Sequence, residues 1–91
     1  MRKSAEWMHQ LDERIIEHLD EGGWESPSTM GRSFRFTASE DRILERCEAL
    51  VDCGLIAPIY EGASMFELTT IGYLYLDGDL DADNLPRRSR V

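Results

Sequence analysis

One forty-residue stretch constrains this chain more than any other. From Thr37 it runs Thr-Ala-Ser-Glu-Asp-Arg-Ile-Leu-Glu-Arg-Cys-Glu-Ala-Leu, then Val-Asp-Cys-Gly-Leu-Ile. Two short apolar runs follow around Glu61-Gly62-Ala63-Ser64, and the stretch closes on Leu68-Thr69-Thr70-Ile71-Gly72-Tyr73-Leu74. Thr37 and Glu40 have capping-box spacing, so a helix is predicted over Ala38 to about Cys53. Gly54 supplies the left-handed stop. Ala57 to Tyr60 and Met65 to Leu68 read as a strand pair, with Pro58 at a strand start or on an edge. Thr69 or Thr70 then caps a last helix carrying Ile71, Leu74 and Tyr75, which ends near Asp77-Gly78.

The chain before this stretch adds two helices. Leu11, Ile15, Ile16 and Leu19 recur at helical spacing over His9 to Asp20, and Glu21-Gly22-Gly23 ends the run. Ser26-Pro27 is a cap followed by proline at a first helical position, which predicts a short helix from Pro27 to Arg32. Ser33 to Phe36 is read as a turn with Phe34 and Phe36 pointing into the core. With 91 residues there is room for a single core. The expected organisation is an arm over residues 1–8, a domain over 9–78 and a mostly loose tail over 79–91, docked through Leu80 and Leu85. The order of elements predicts an α+β fold: a winged helix-turn-helix with three N-terminal helices, a two-stranded β-hairpin wing and a C-terminal helix. The usual business of such a module is duplex DNA.

Charge both supports and opposes that business. The net charge is −8, from ten basic and eighteen acidic residues. Only Lys3 among the basic residues is a lysine. A lysine-poor, acidic surface suits a protein that stays soluble in very high salt. At about 1 M salt the Debye length is only ~3 Å, so self-repulsion is screened. Positive charge is concentrated at Arg32, Arg35, Arg42 and Arg46, and again at Arg87, Arg88 and Arg90.

On a wheel of about 100° per residue, helix three (about 38–53) separates into three stripes. Ile43, Leu44, Cys47, Leu50 and Val51 are expected to face the core. Asp41, Glu45, Glu48 and Asp52 form an acidic stripe. Ser39, Arg42, Arg46 and Ala49 form a third edge, which is the expected major-groove edge. Arginine's planar fork matches guanine O6 and N7 or two phosphate oxygens. Ser39 sits where a helix N-terminus favours an anion. Arg32 and Arg35 precede the helix, where a turn can hold them against a phosphate backbone. The bland reading of Arg42 and Arg46 is helical ion pairing with nearby acids. The acidic stripe reads first as a solvated face suited to high salt; with a wing tip that has no basic residue, it also motivates an alternative, a winged-helix protein-interaction module with little or no DNA binding.

Other chemistry is weakly represented. Cys47 and Cys53 have no zinc or redox spacing, and are read as one buried thiol and one incidental thiol. His9 and His18 have no ligand partners at useful spacing and are read as surface residues. No catalytic constellation is visible, and no metal, cofactor or small-molecule ligand is expected. No apolar run is long enough for a membrane span and no signal peptide is visible, so the expected location is the cytoplasm. Trp7, Met8, Trp24, Tyr73 and Tyr75 exceed what so small a core needs; core packing is the common fate of such residues, and a dimer surface is the alternative for some of them.

Four segments also carry a family resemblance. They are the opening Met-Arg-Lys-Ser-Ala-Glu-Trp-Met, the Leu-Asp-Glu-Arg-Ile-Ile-Glu of helix one, the Arg46-Cys-Glu-Ala-Leu…Cys-Gly-Leu-Ile junction and the closing Leu-Thr-Thr-Ile-Gly-Tyr-Leu-Tyr-Leu. Together these resemble the haloarchaeal phage phi-H repressor-like winged-helix proteins, from Met1 to about Pro86. The resemblance implies a transcriptional regulator, a repressor, that binds operator DNA as a homodimer with helix three in the major groove. His9-Gln10 stands where that family often has a Thr-Pro helix start, so helix one is expected to begin less sharply. Asp41 and Glu45 also depart from the polar or basic residues expected on a reading helix.

Overall fold

The computed structural model describes residues 8–32, 38–82 and 85. The expectations for Trp7, Phe34, Arg35, Phe36, Thr37, Arg87, Arg88 and Arg90 lie outside these residues. The element order is α1 (Gln10–Gly22), β1 (Trp24–Glu25), α2 (Pro27–Arg32), α3 (Glu40–Asp52), β2 (Ile56–Pro58), β3 (Phe66–Leu68) and α4 (Thr70–Leu76). The strands form one antiparallel sheet of order β1-β3-β2. This is a winged helix fold.

Helix starts follow the hydroxyl and carboxylate chemistry of the chain. The α1 start is sharp despite the departure at His9-Gln10, because the backbone N–H of His9 donates to Asp12 Oδ2 at 2.8 Å. Ser26 opens α2, its Oγ accepting from the Thr29 N–H. Helix α3 begins at Glu40, two residues later than the expected start at Ala38. Ser39 is the N-cap of α3, its Oγ accepting from the Arg42 N–H at 3.3 Å. A hydroxyl three residues before an available amide is enough to open a helix.

The stops use glycine. Cys53 ends α3, and Gly54 at φ 87° lets the chain reverse. The Gly54 N–H then donates to Val51 O (3.0 Å) and the Leu55 N–H to Leu50 O (3.1 Å), a Schellman pair. Leu55 and Ile56 thereby enter the core.

The joint between α3 and α4 is tight. The Thr69 hydroxyl lies 2.5 Å from Gly54 O and 3.0 Å from Leu55 O, and its oxygen accepts from the Gly72 N–H. A Cβ added at Gly72 would stand 2.4 Å from Leu55 O, so α4 can sit this close only with glycine there.

The core gathers Ile15, Ile16 and Leu19 from α1, Met30 from α2, Ile43, Cys47 and Leu50 from α3, and Leu55, Ile56, Phe66, Leu68 and Tyr75 from the second half. Leu80 and Leu85 pack against it, as expected for a docked tail start. Several expectations are corrected. Leu44 is 40% exposed, because the inward arc of α3 is already filled by Ile43, Cys47 and Leu50. Ile71 and Leu74 are exposed, because Gly72 and Tyr75 take the inward arc of α4. Cys53 is not incidental: its thiol is buried and donates to Leu50 O. His18 is half-buried, with Nε2 3.0 Å from Glu25 Oε2. Strand β1, two residues after a glycine pair, was not expected at all.

Candidate nucleic-acid interface

The candidate interface is built where α2 ends and α3 begins. The two helices meet closely: a Cβ on Gly31 would contact the Glu40 backbone at 3.6 Å. This brings Arg32, the last residue of α2, beside the first turn of α3. Arg32 is exposed, and its Nη2 donates to Ser28 Oγ within α2. Ser39 and Arg42 are exposed on the first turn of α3. Arg35 lies outside the described residues.

Arg42 is held loosely. Its Nη1 donates to Glu45 Oε1, and its Nη2 lies 3.0 Å from His9 Nδ1. Both partners of the Arg42–Glu45 pair are well exposed, at 43% and 64% of their side chains. Such pairs contribute only about 0–1 kcal/mol, so exchanging Glu45 for a phosphate or a base edge costs Arg42 little.

Arg46 lies one turn further on and is placed quite differently. Its Nε donates to Asp12 Oδ1 and its Nη2 to Asp12 Oδ2, both at 2.8 Å. The Asp12 side chain is fully buried and that of Arg46 is 13% exposed. This two-pronged bond, with the neighbouring Asp12 charge, holds the Arg46 proton more firmly than usual, against the opposing effect of burial. The guanidinium is turned towards α1 rather than outward. Asp12 was missed in the sequence. The signal was there: Asp12 falls on the same helical stripe as Ile15, Ile16 and Leu19, and a carboxylate on a buried stripe needs a cationic partner.

The rest of the outer face of α3 is acidic. Glu40, Asp41, Glu45 and Glu48 are exposed and Asp52 is half-buried. Beside them a groove of about 540 Å³ separates α3 from the wing, lined by Leu44, Val51, Pro58 and Phe66 with Glu48 and Asp52 at its edge. The wing tip turns at Gly62 and carries Glu61 but no basic residue. Neither thiol is poised for reaction. Burial pushes Cys47 up to about 12 and raises Cys53 as well. Among the described residues no three His, Cys, Asp or Glu side chains are grouped to hold a metal ion, and no helix is long and apolar enough to cross a membrane.

A family model described as a winged helix-turn-helix phage repressor matches residues 1–88. The chain belongs to this family. The repressor protein of Halobacterium phage phiH is 34% identical over 93 residues, covering 96% of this chain and 99% of the relative. The crystal structure of the PhiH1 repressor-like protein from Haloarcula marismortui is 30% identical, with a TM-score of 0.87, covering 97% of this chain and 98% of that one. Both relatives come from salt-loving hosts, which agrees with the lysine-poor acidic surface. In this repressor family member, then, Arg32 and Arg42 stand open beside the first turn of α3 and Arg46 is enclosed.

Proposed function

We propose that the protein is a DNA-binding transcriptional repressor that acts as a homodimer in the cytoplasm and places the first turn of α3 in the major groove. The observation that carries this reading is the close approach of α2 to the start of α3 at Gly31 and Glu40, with Arg32, Ser39 and Arg42 exposed on the residues around it. Ser39 and the free amides there suit a phosphate, while Arg42 has the reach and the fork for a base edge. Arg35, close in sequence, adds a further phosphate contact. Arg46 acts through Asp12, fixing the angle at which α3 is presented.

The acidic stripe does not defeat the proposal in high salt. At about 1 M the repulsion between these carboxylates and phosphates fades within ~3 Å, so only groups in contact matter. The same salt removes most of the counterion-release advantage, so binding depends on direct contacts. The test is fluorescence anisotropy with the protein's own promoter duplex and a random duplex, over a salt series reaching molar KCl. Sequence-selective binding that persists at molar salt, and that Arg42→Ala weakens, is the expected result. Absence of binding at every salt concentration overturns the proposal.

The exposed acids on α3 favour a second reading, a protein-interaction module. Its signature is a protein partner captured at high salt and released by Asp41→Asn with Glu48→Gln. Capture unaffected by those changes removes it.

A further inference from the structure

His9 stands at the start of α1, yet its side chain meets the first turn of α3. Its Nδ1 lies 3.0 Å from Arg42 Nη2, across 33 positions of sequence. A guanidinium has N–H donors and no acceptor, so Nδ1 accepts and the ring proton stands on Nε2. The contact is thus made by a neutral ring.

The position of His9 is itself fixed from α3. Its backbone N–H donates to Asp12 Oδ2 at 2.8 Å. The same carboxylate is gripped by Arg46 Nε and Nη2. Arg46 lies one turn beyond Arg42 on α3. The contacts close a ring: Arg42 to His9, His9 to Asp12, Asp12 to Arg46, and back along the helix. Asp12 is fully buried, so the ring is anchored in the interior at one end and reaches solvent at the other.

We propose that His9 is a positioning residue for DNA recognition, holding the Arg42 guanidinium in the direction from which it meets a base edge. This rests on the repressor reading above and adds a residue to it. Two neighbours hold Arg42 among the described residues, and they are not equivalent. Glu45 is a carboxylate on the same helix. A phosphate near Arg42 repels Glu45 and competes with it for the Nη1 hydrogen. His9 is neutral, so it neither repels a phosphate nor offsets the arginine's charge. Glu45 is the neighbour that DNA displaces, and His9 is the one that stays. An arginine already held in one direction loses less side-chain freedom on binding. The benefit falls on contacts that depend on direction. A bidentate bond to guanine needs the plane of the fork aligned, whereas charge attraction to the backbone tolerates many angles.

The test uses the full chain in molar KCl, with the promoter and random duplexes. His9→Ser keeps a residue suited to a helix start, but its hydroxyl ends one bond short of Nδ1. His9→Asn also suits a helix start and places a carboxamide oxygen where Nδ1 was. Chemical denaturation checks that both fold. In His9→Ser, affinity for the promoter duplex should fall about two- to tenfold, the scale of one hydrogen bond. Affinity for the random duplex should stay. His9→Asn should recover the promoter affinity. In an Arg42→Ala background, His9→Ser should change nothing further, because His9 acts only through Arg42. In the free protein, nitrogen relaxation should show Arg42 Nε more restrained than that of Arg14, which is exposed on α1, and looser in His9→Ser.

Unchanged promoter affinity in His9→Ser overturns the inference, as does a loss of the same size with and without Arg42. An Arg42 side chain as mobile as Arg14 in the wild type also overturns it. If the wild-type protein binds no duplex, the repressor reading falls and this inference with it. If it binds, and Arg42→Ala weakens binding while His9→Ser does not, the repressor reading stands and only the role of His9 falls.

Discussion

The first and second turns of α3 carry the same side chain in opposite circumstances. Arg42 stands in solvent, tied to Glu45 and His9 by contacts that are easily exchanged. Arg46, four residues on and on the same edge of the helical wheel, is closed onto a buried carboxylate from α1. The edge is continuous in sequence and discontinuous in space. It runs from solvent into the α1–α3 contact, and the change falls between two consecutive turns. A stripe of arginines is thus not yet a surface: what lies opposite each one decides whether it reads a partner or braces the fold.

The largest expected effect concerns the enclosed turn. Arg46→Ala leaves the Asp12 charge buried with the His9 amide as the remaining partner of its carboxylate among the described residues, and should cost about 3–5 kcal/mol of stability, measured by chemical denaturation in high salt. If its stability matches wild type, the contrast between the turns collapses. The double change Asp12→Leu with Arg46→Leu should recover most of that loss, because it removes both charges together. A double mutant as unstable as the single one would mean that the pair does more than neutralise itself.

The open turn should behave in reverse. Arg42→Ala is expected to leave stability within about 0.5 kcal/mol and to weaken operator binding by about 1–3 kcal/mol, roughly 5- to 150-fold. Equal losses of stability and binding would erase the distinction. Ser39→Ala should cost about 1 kcal/mol of stability through the lost cap, together with a smaller loss of binding.

The effect least visible at neutral pH is on pH dependence. Cys47 lies next to Arg46, and its thiol is raised from an ordinary 9.0 to about 12. A folded-state value above the unfolded one means a contribution that is complete below pH 9 and lost as pH rises from 9 towards 12. Alkylation at neutral pH should therefore track global unfolding, and should quicken in Arg46→Ala as the enclosed turn loosens.

Much of this arrangement is legible in the sequence. Ser26-Pro27, Cys53-Gly54 and Thr69 marked α2, the end of α3 and the start of α4, because capping chemistry is local and needs nothing from the rest of the chain. The faces were harder to read. Leu44, Ile71 and Leu74 look like core residues on a helical wheel, and each lost its place to neighbours that filled the inward arc first. The roles of Asp12 and Tyr75 depend on partners far along the chain: Asp12 pairs with Arg46, and the Tyr75 hydroxyl donates to Glu13. Spacing within one helix says nothing about which acid on another will meet an arginine. The candidate site was therefore legible as a group of residues, but not in the division between those that face outward and those that do not. Strand β1 escaped notice because two residues are too few to show a period.

The joint at Thr69 and Gly72 has a mechanical meaning. The end of α3 and the start of α4 are stitched through the same pair of carbonyls, with the Gly72 backbone pressed against one of them. No slack loop separates the two at that point. The chain leaving α3 is therefore the seat on which α4 starts, and a substitution that shifts Gly54 or Leu55 would shift the base of α4 with them.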